Sequence, residues 1–187
     1  MGPPCDAWGG AADRGCHGPI RSKYEPWGLP ESQLTARQCE RLGRGNTIFR
    51  CALRLMRALC RYRVPTIVEH PINSRIWHTP ELLTLARQHG GHTRVFDQCQ
   101  FGRCWRKRTK LMFFHIDPAD TVKFGRTCKG SHGICSRTAR AHFVLEGAAP
   151  NGRKWTAIAA SYPSALCKSM VQTLLANERD VIASSFG

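Results

Sequence analysis

Thr66-Ile67-Val68-Glu69-His70-Pro71 sets one carboxylate at the end of a short apolar run, in a chain otherwise dominated by arginine. A β-rich run of this length, closed by proline, reads as a buried strand that delivers its last side chains to a loop. In open α/β sheets, ligand chemistry sits just beyond such strand ends. Glu69 therefore either caps the strand and pairs with an arginine, as surface acids commonly do, or lines a site.

The flanking segments extend this reading. Upstream, Ser32 is placed to cap a helix over 33–42 that Gly43 ends. Asn46 then caps a second helix, in which Ile48, Cys51, Ala52, Leu55, Met56 and Leu59 recur at helical spacing as a core face. Arg50, Arg54, Arg57 and Arg61 fall at i, i+4, i+7 and i+11 on the other side, forming a ridge that is either solvated or follows a phosphate backbone. Downstream, Thr79 caps a helix with Pro80 at its first position. Leu82, Leu83, Leu85 and Ala86 face inward, and His89-Gly90-Gly91 closes it. A strand over 92–97, a basic loop and the buried strand Leu111–Phe114 follow, then another strand at His142–Leu145 and a turn at Asn151-Gly152. Tyr162-Pro163 opens a last apolar helix through Leu166, Met170, Val171, Leu174 and Leu175. Alternating helices and strands predict α/β layering.

A length of 187 residues suits one domain: an irregular Gly/Pro-rich segment over 1–34 and an α/β domain over 35–187. Lys and Arg total 28 against 13 Asp and Glu, for a net charge of +15. Most of the excess is arginine, whose planar fork suits phosphates and base edges, so nucleic acid is the first partner expected, DNA before RNA. An anionic membrane surface comes second. No run of 18 apolar residues is present to span a bilayer, and the first residues lack a basic leader and an apolar stretch. Ten scattered cysteines without a secretory context fit reduced thiols inside a cell.

Two segments carry candidate chemistry. In the loop over 98–110, Arg103, Trp105, Arg106 and Arg108 interleave cations with an aromatic ring, a pattern that grips a backbone and stacks on bases, or simply solubilises a hairpin. Further on, Cys128, His132, Cys135 and His142 give C-x3-H-x2-C-x6-H. A tetrahedral zinc would take Cys128, Cys135 and His142 with either His132 or Cys99 as the fourth ligand, and the same residues also read as structural thiols without metal.

The order of these motifs resembles that of DNA cytosine-5 methyltransferases, in particular divergent modules in retroelement-derived and protist reading frames. Gly2-Pro3-Pro4-Cys5 resembles the family's Pro-Cys nucleophile motif, Glu69-His70-Pro71 its Glu-Asn-Val motif, and Gly102 through Thr109 its Gly and Gln-x-Arg-x-Arg motif. The resemblance covers residues 2 to about 115. It implies a partial Rossmann-like (class I methyltransferase-type) mixed sheet, with mainly parallel strands flanked by helices and an irregular N-terminal loop. It further implies S-adenosylmethionine as methyl donor, Cys5 as nucleophile towards a flipped cytosine, Glu69 as the group holding the ring, and Lys107 as electrostatic support for the adduct. The pattern departs from the family at His70, Trp105 and Thr109. The Gly-rich donor-binding loop is expected upstream of Cys5, and no G-x-G-x-x-G replaces it. The resemblance therefore implies the catalytic half of such an enzyme, incomplete or inactive alone, nuclear, with its exposed sheet edge covered by the missing half or a partner chain. The alternative is a basic nucleic-acid-binding module, zinc-stabilised and without catalysis.

Overall fold

The computed structural model describes residues 7–8 and 18–185, with side chains described as far as Glu178. Thr35 opens the first long helix, α1 (Ala36–Arg61), through a capping box in which its hydroxyl accepts the Gln38 N–H and the Gln38 side chain accepts the Thr35 N–H. One helix of 26 residues thus stands where two were expected. Gly43, expected to end the first of these, lies inside α1, as does Gly45, at which α1 is closely approached. A Cβ there would lie 2.7 Å from the Ala7 Cβ and 3.1 Å from an Arg21 guanidinium nitrogen.

That approach also fixes which face is buried. Gly45, Phe49, Leu53, Met56 and Cys60 turn inward, and Phe49 packs against Trp8 and Trp27 with ring centroids 4.8 and 5.7 Å apart. Ile48, Cys51 and Leu55, expected in the core, are exposed. Two adjacent rows of α1 are apolar, and the tryptophans selected one of them.

The sheet has three strands in the order β1–β3–β2, with β1 at Thr66–Pro71, β2 at His92–Asp97 and β3 at Arg108–Phe114. The expectation of mainly parallel strands is corrected: β3 pairs antiparallel with both neighbours, Ile67 facing Phe113 on one side and Val95 facing Lys110 on the other. The connection over 98–107 is too short for a parallel crossover, which takes about a dozen residues, so β3 turns back beside β2. It inserts between β1 and β2, which therefore run parallel to each other, linked by α2 (Pro80–Gln88) in a split βαβ arrangement.

Alternation along the strands builds a core on each face. Val68, Met112 and Phe114 meet α1 and α2 through Met56, Leu82 and Leu85. Ile67, Leu111 and Phe113 face Phe96, Phe101, Phe124 and Leu166, the last from α4 (Ser164–Ser185). A four-residue helix, α3 (Trp155–Ile158), precedes α4. The fold is thus mixed α/β with a small antiparallel sheet. His142–Leu145 is not a strand; only an isolated bridge joins Ile134 to Ala141, and the turn at Asn151-Gly152 forms as expected, with Gly152 at φ +77°.

Candidate metal centre

β2 ends in Asp97, whose buried carboxylate gathers the segments that form the site. Arg108 binds it through two nitrogens at 2.9 and 3.0 Å, Arg106 approaches at 3.4 Å, and the Cys128 backbone N–H donates to Oδ2 at 2.7 Å. The Asp97 backbone N–H donates to Arg126 at 3.0 Å. A short 3-10 turn over Gln98–Phe101 then places Cys99 facing the same point. From Cys128 the chain makes a compact knuckle. The Cys135 N–H donates to Arg140, the His142 N–H to Gly133, and the Phe143 N–H reaches back to Cys104 at 2.9 Å. Left-handed backbone at His132 (φ +51°) and Gly133 (φ +78°) turns its tip. Gly130 is required by proximity, since a Cβ there would overlap the Ile134 carbonyl.

The outcome is a cluster of Cys99, Cys128, Cys135 and His142, whose ligand atoms all lie within 4.8 Å of one another. The three sulfurs are buried and the imidazole is half-buried. Cys128 Sγ and His142 Nε2 are 3.6 Å apart. Zinc bonds of about 2.3 Å to sulfur and about 2.0–2.1 Å to nitrogen, at a tetrahedral angle, put those two atoms about 3.5–3.6 Å apart, so the pair already has the spacing a metal would impose. The fourth ligand is Cys99. His132 is exposed at the knuckle tip and stands outside the cluster.

The surroundings favour thiolate. Burial opposes ionisation of Cys128, but hydrogen bonds from the Ser136 hydroxyl and N–H and from the Gly130 backbone outweigh it and bring the thiol down to about 6. Burial likewise opposes Cys135, and the backbone donors of Arg137 and Thr138 lower it on balance. Cys99, in contrast, is pushed up to about 12 by burial. A cation bound among the three sulfurs would take the place of the Cys99 proton. Arg137 Nε holds the Cys99 carbonyl at 2.7 Å, and Gln100 donates to its sulfur at 3.6 Å. Such supporting contacts orient ligands before metal arrives.

No family model, curated protein or solved structure matches this chain.

The other expected site residues are dispersed. Cys5 lies outside the described residues. Glu69 is buried in β1, where Tyr162, at the start of the α4 segment, donates its hydroxyl to Oε2 at 2.7 Å; Oε1 accepts no hydrogen bond among the described residues. Burial raises the Glu69 pKa, against the Tyr162 hydrogen bond and the Lys107 charge. Lys107 itself donates to the Ala159 carbonyl at 3.3 Å. Arg103 donates to the Ser161 and Tyr162 carbonyls and lies over Trp105, whose buried indole donates to Gln98. Arg106 donates to the Cys128 carbonyl as well as meeting Asp97. The side chains read as a nucleic-acid grip in this loop are thus engaged in holding the knuckle and the α4 approach to the sheet. Arg50, Arg54, Arg57 and Arg61 are all exposed along α1, with Arg50 5.0 Å from the centre of the Trp27 ring. Neither Asp97 nor Tyr162 stands out in the sequence as a site residue. The acid directly before Gln98-Cys99, at the end of a strand, was the available signal for the first; Tyr162 gave none, being 93 positions from its partner.

Proposed function

We propose that the chain is a zinc-stabilised nucleic-acid-binding domain, with DNA as the first partner and the nucleus as its place of action. The observation that carries this reading is the four-ligand centre. A site filled by four protein side chains leaves no position for substrate, which is the mark of a structural rather than a catalytic zinc. What such a centre holds in place here is cationic. The knuckle over 127–142 carries Lys129, Arg137 and Arg140 and has no acidic residue. The second cationic surface is α1, where no acid occurs between Glu40 and Glu69 while Arg50, Arg54, Arg57 and Arg61 share an exposed ridge. Phosphate contacts of this kind give affinity without sequence choice and a strong dependence on salt.

Titration of the full chain onto duplex and single-stranded DNA at several salt concentrations, with zinc bound and after its removal, tests the proposal. Affinity should fall steeply with salt and drop when zinc is removed. Binding that ignores salt, or that survives unchanged after the metal is gone, would refute it.

A second reading rests on Glu69. Together with Leu59, Ile67, Tyr162, Met170 and Leu174 it lines a cavity of about 340 Å³. A buried carboxyl with a raised pKa and one unengaged oxygen can hold the edge of a flat, hydrogen-bonding ring, as the methyltransferase resemblance implies for cytosine. The Rossmann-like ancestry implied by the same resemblance belongs to this reading too; in its favour stand the parallel orientation of β1 and β2 and the helix that connects them. S-adenosylmethionine-dependent methyl transfer that is lost in both Cys5→Ser and Glu69→Gln would establish it, and equal transfer in both variants would dismiss it.

A further inference from the structure

On the opposite side of the sheet from the Glu69 cavity, three more ligand-type side chains converge from three separate elements. Cys60 is in the last turn of α1 and buried, His89 is the C-terminal cap of α2, and His115 follows β3 directly. One sulfur and one nitrogen from each ring lie within 4.8 Å of one another. The two imidazoles meet edge to face with centroids 5.7 Å apart.

We propose that Cys60, His89 and His115 form a second metal site, a three-ligand centre for a zinc-class divalent cation with its fourth position open to water or an exogenous ligand.

Three observations beyond the clustering support this. First, His115 sits at φ +54°, a left-handed conformation that non-glycine residues adopt rarely and that turns its ring towards α1 and α2. Second, its Nε2 is buried without a hydrogen bond among the described residues, a costly state for a ring nitrogen unless something coordinates it. Third, the same ring is hydrogen-bonded to the Cys60 backbone, the type of contact that orients metal-binding histidines and leaves one nitrogen for the ion.

A tetrahedral ion would draw the ligand atoms to about 3.3–3.6 Å from one another, a contraction of at most about 1 Å for atoms that lie within 4.8 Å. Side-chain torsion at His89, half-buried at a helix end, provides that movement. Binding forms one S–metal and two N–metal bonds, and the Cys60 thiol proton leaves to water. His89 also lines a surface cavity of about 410 Å³ with Arg57, Glu81 and Gln88, which gives solvent a way to the ring. The charge of Arg63 reaches His115 and acts against any cation here, so the thiolate has to supply much of the attraction. One thiolate, two imidazoles and an open position differ from the closed centre of the knuckle, and the two sites should be distinguishable by their thiolate content.

The test uses the full chain, freed of metal and titrated with Co(II), with final metal content measured by elemental analysis. The wild-type chain should bind two ions, the number of ligand clusters among the described residues. His89→Gln should bind one and retain the strong thiolate-to-cobalt absorption of the three-sulfur knuckle. His115→Asn, chosen because asparagine tolerates the left-handed backbone, should behave in the same way. Cys128→Ser should lose the knuckle ion and keep a weaker, single-thiolate spectrum. A wild-type count unchanged by both histidine substitutions, or a folded Cys128→Ser chain with no cobalt–thiolate band, would overturn the proposal. The knuckle reading stands or falls separately on Cys128→Ser.

Discussion

The carboxylate of Asp97 accepts the backbone N–H of Cys128 at 2.7 Å, joining the last residue of β2 to a metal-type ligand 31 positions later. Through that contact the sheet positions the knuckle, because the same carboxylate is anchored by Arg106 and Arg108. Removing its charge should therefore cost both stability and metal affinity. Asp97→Asn is expected to destabilise the domain by roughly 1–3 kcal/mol, less than a fully buried pair would lose, since both arginine side chains are more than a third exposed and screened. Denaturant unfolding of the zinc-loaded chain measures this. A change within error would mean that the knuckle is held by its own turns alone.

Acid should act through the same residue. Burial opposes charge on Asp97, but the Arg108 hydrogen bond, the Cys128 N–H and the two arginine charges prevail and lower its pKa. A depressed folded pKa adds stability that is present above the unfolded value of about 3.9 and lost as pH falls towards the folded one. Asp97→Asn should flatten that part of the acid unfolding profile. An identical slope in the variant would remove Asp97 from the account.

Glu69 should show the opposite dependence. Its pKa is raised, so the unfolded chain ionises first, and stability contributed by this residue falls as pH rises from about 4.3 through the folded value. Glu69→Gln keeps a partner for Tyr162 and carries no charge to desolvate, so it should be more stable than wild type at neutral pH and equal to it in strong acid. Thermal melts across that range decide the matter, and a destabilised variant at pH 7 would contradict the raised pKa.

Gly130→Ala should disable the metal centre while leaving the sheet intact. The added methyl would meet the Ile134 carbonyl, so the knuckle must open, and Cys135 would leave the reach of Cys99 and Cys128. Zinc affinity should fall by at least the 10–100-fold that follows loss of a supporting contact. Competition against a chromophoric chelator reads this directly; wild-type affinity would show that the knuckle adjusts.

Replacing Arg50, Arg54, Arg57 and Arg61 by glutamine should weaken DNA binding and lower the salt slope by up to about 3–4, if each arginine neutralises one phosphate. These side chains are exposed on α1, with Arg50 over Trp27. Folding should persist. An unchanged slope would move the interface to the knuckle.

Local signals in the sequence located much of the secondary structure. Pro71 and Asp97 end β1 and β2 as expected, Pro80 starts α2, and Pro163 precedes α4. The Cys128, Cys135 and His142 spacing marked a metal-ligand segment. Less legible was anything that depends on which of two equally apolar rows meets a distant side chain. On α1 the row containing Phe49 won over the row containing Ile48 and Leu55 because Trp8 and Trp27 pack there. The composition of the basic loop over 98–110 fits either a nucleic-acid grip or a solubilised hairpin, and no pattern in it shows that Arg103, Arg106 and Arg108 also take internal partners.

By itself, then, the sequence determined the charge, the positions of β1, β2, β3, α2 and α4, and three of the four metal-type ligands, because these rest on composition, local backbone preference and short spacing. The tertiary structure alone decided that β3 inserts between β1 and β2, that Cys99 rather than His132 completes the cluster, and that Glu69 meets Tyr162. Each of those is a contact between segments far apart in the chain, settled by packing and burial that no local pattern encodes.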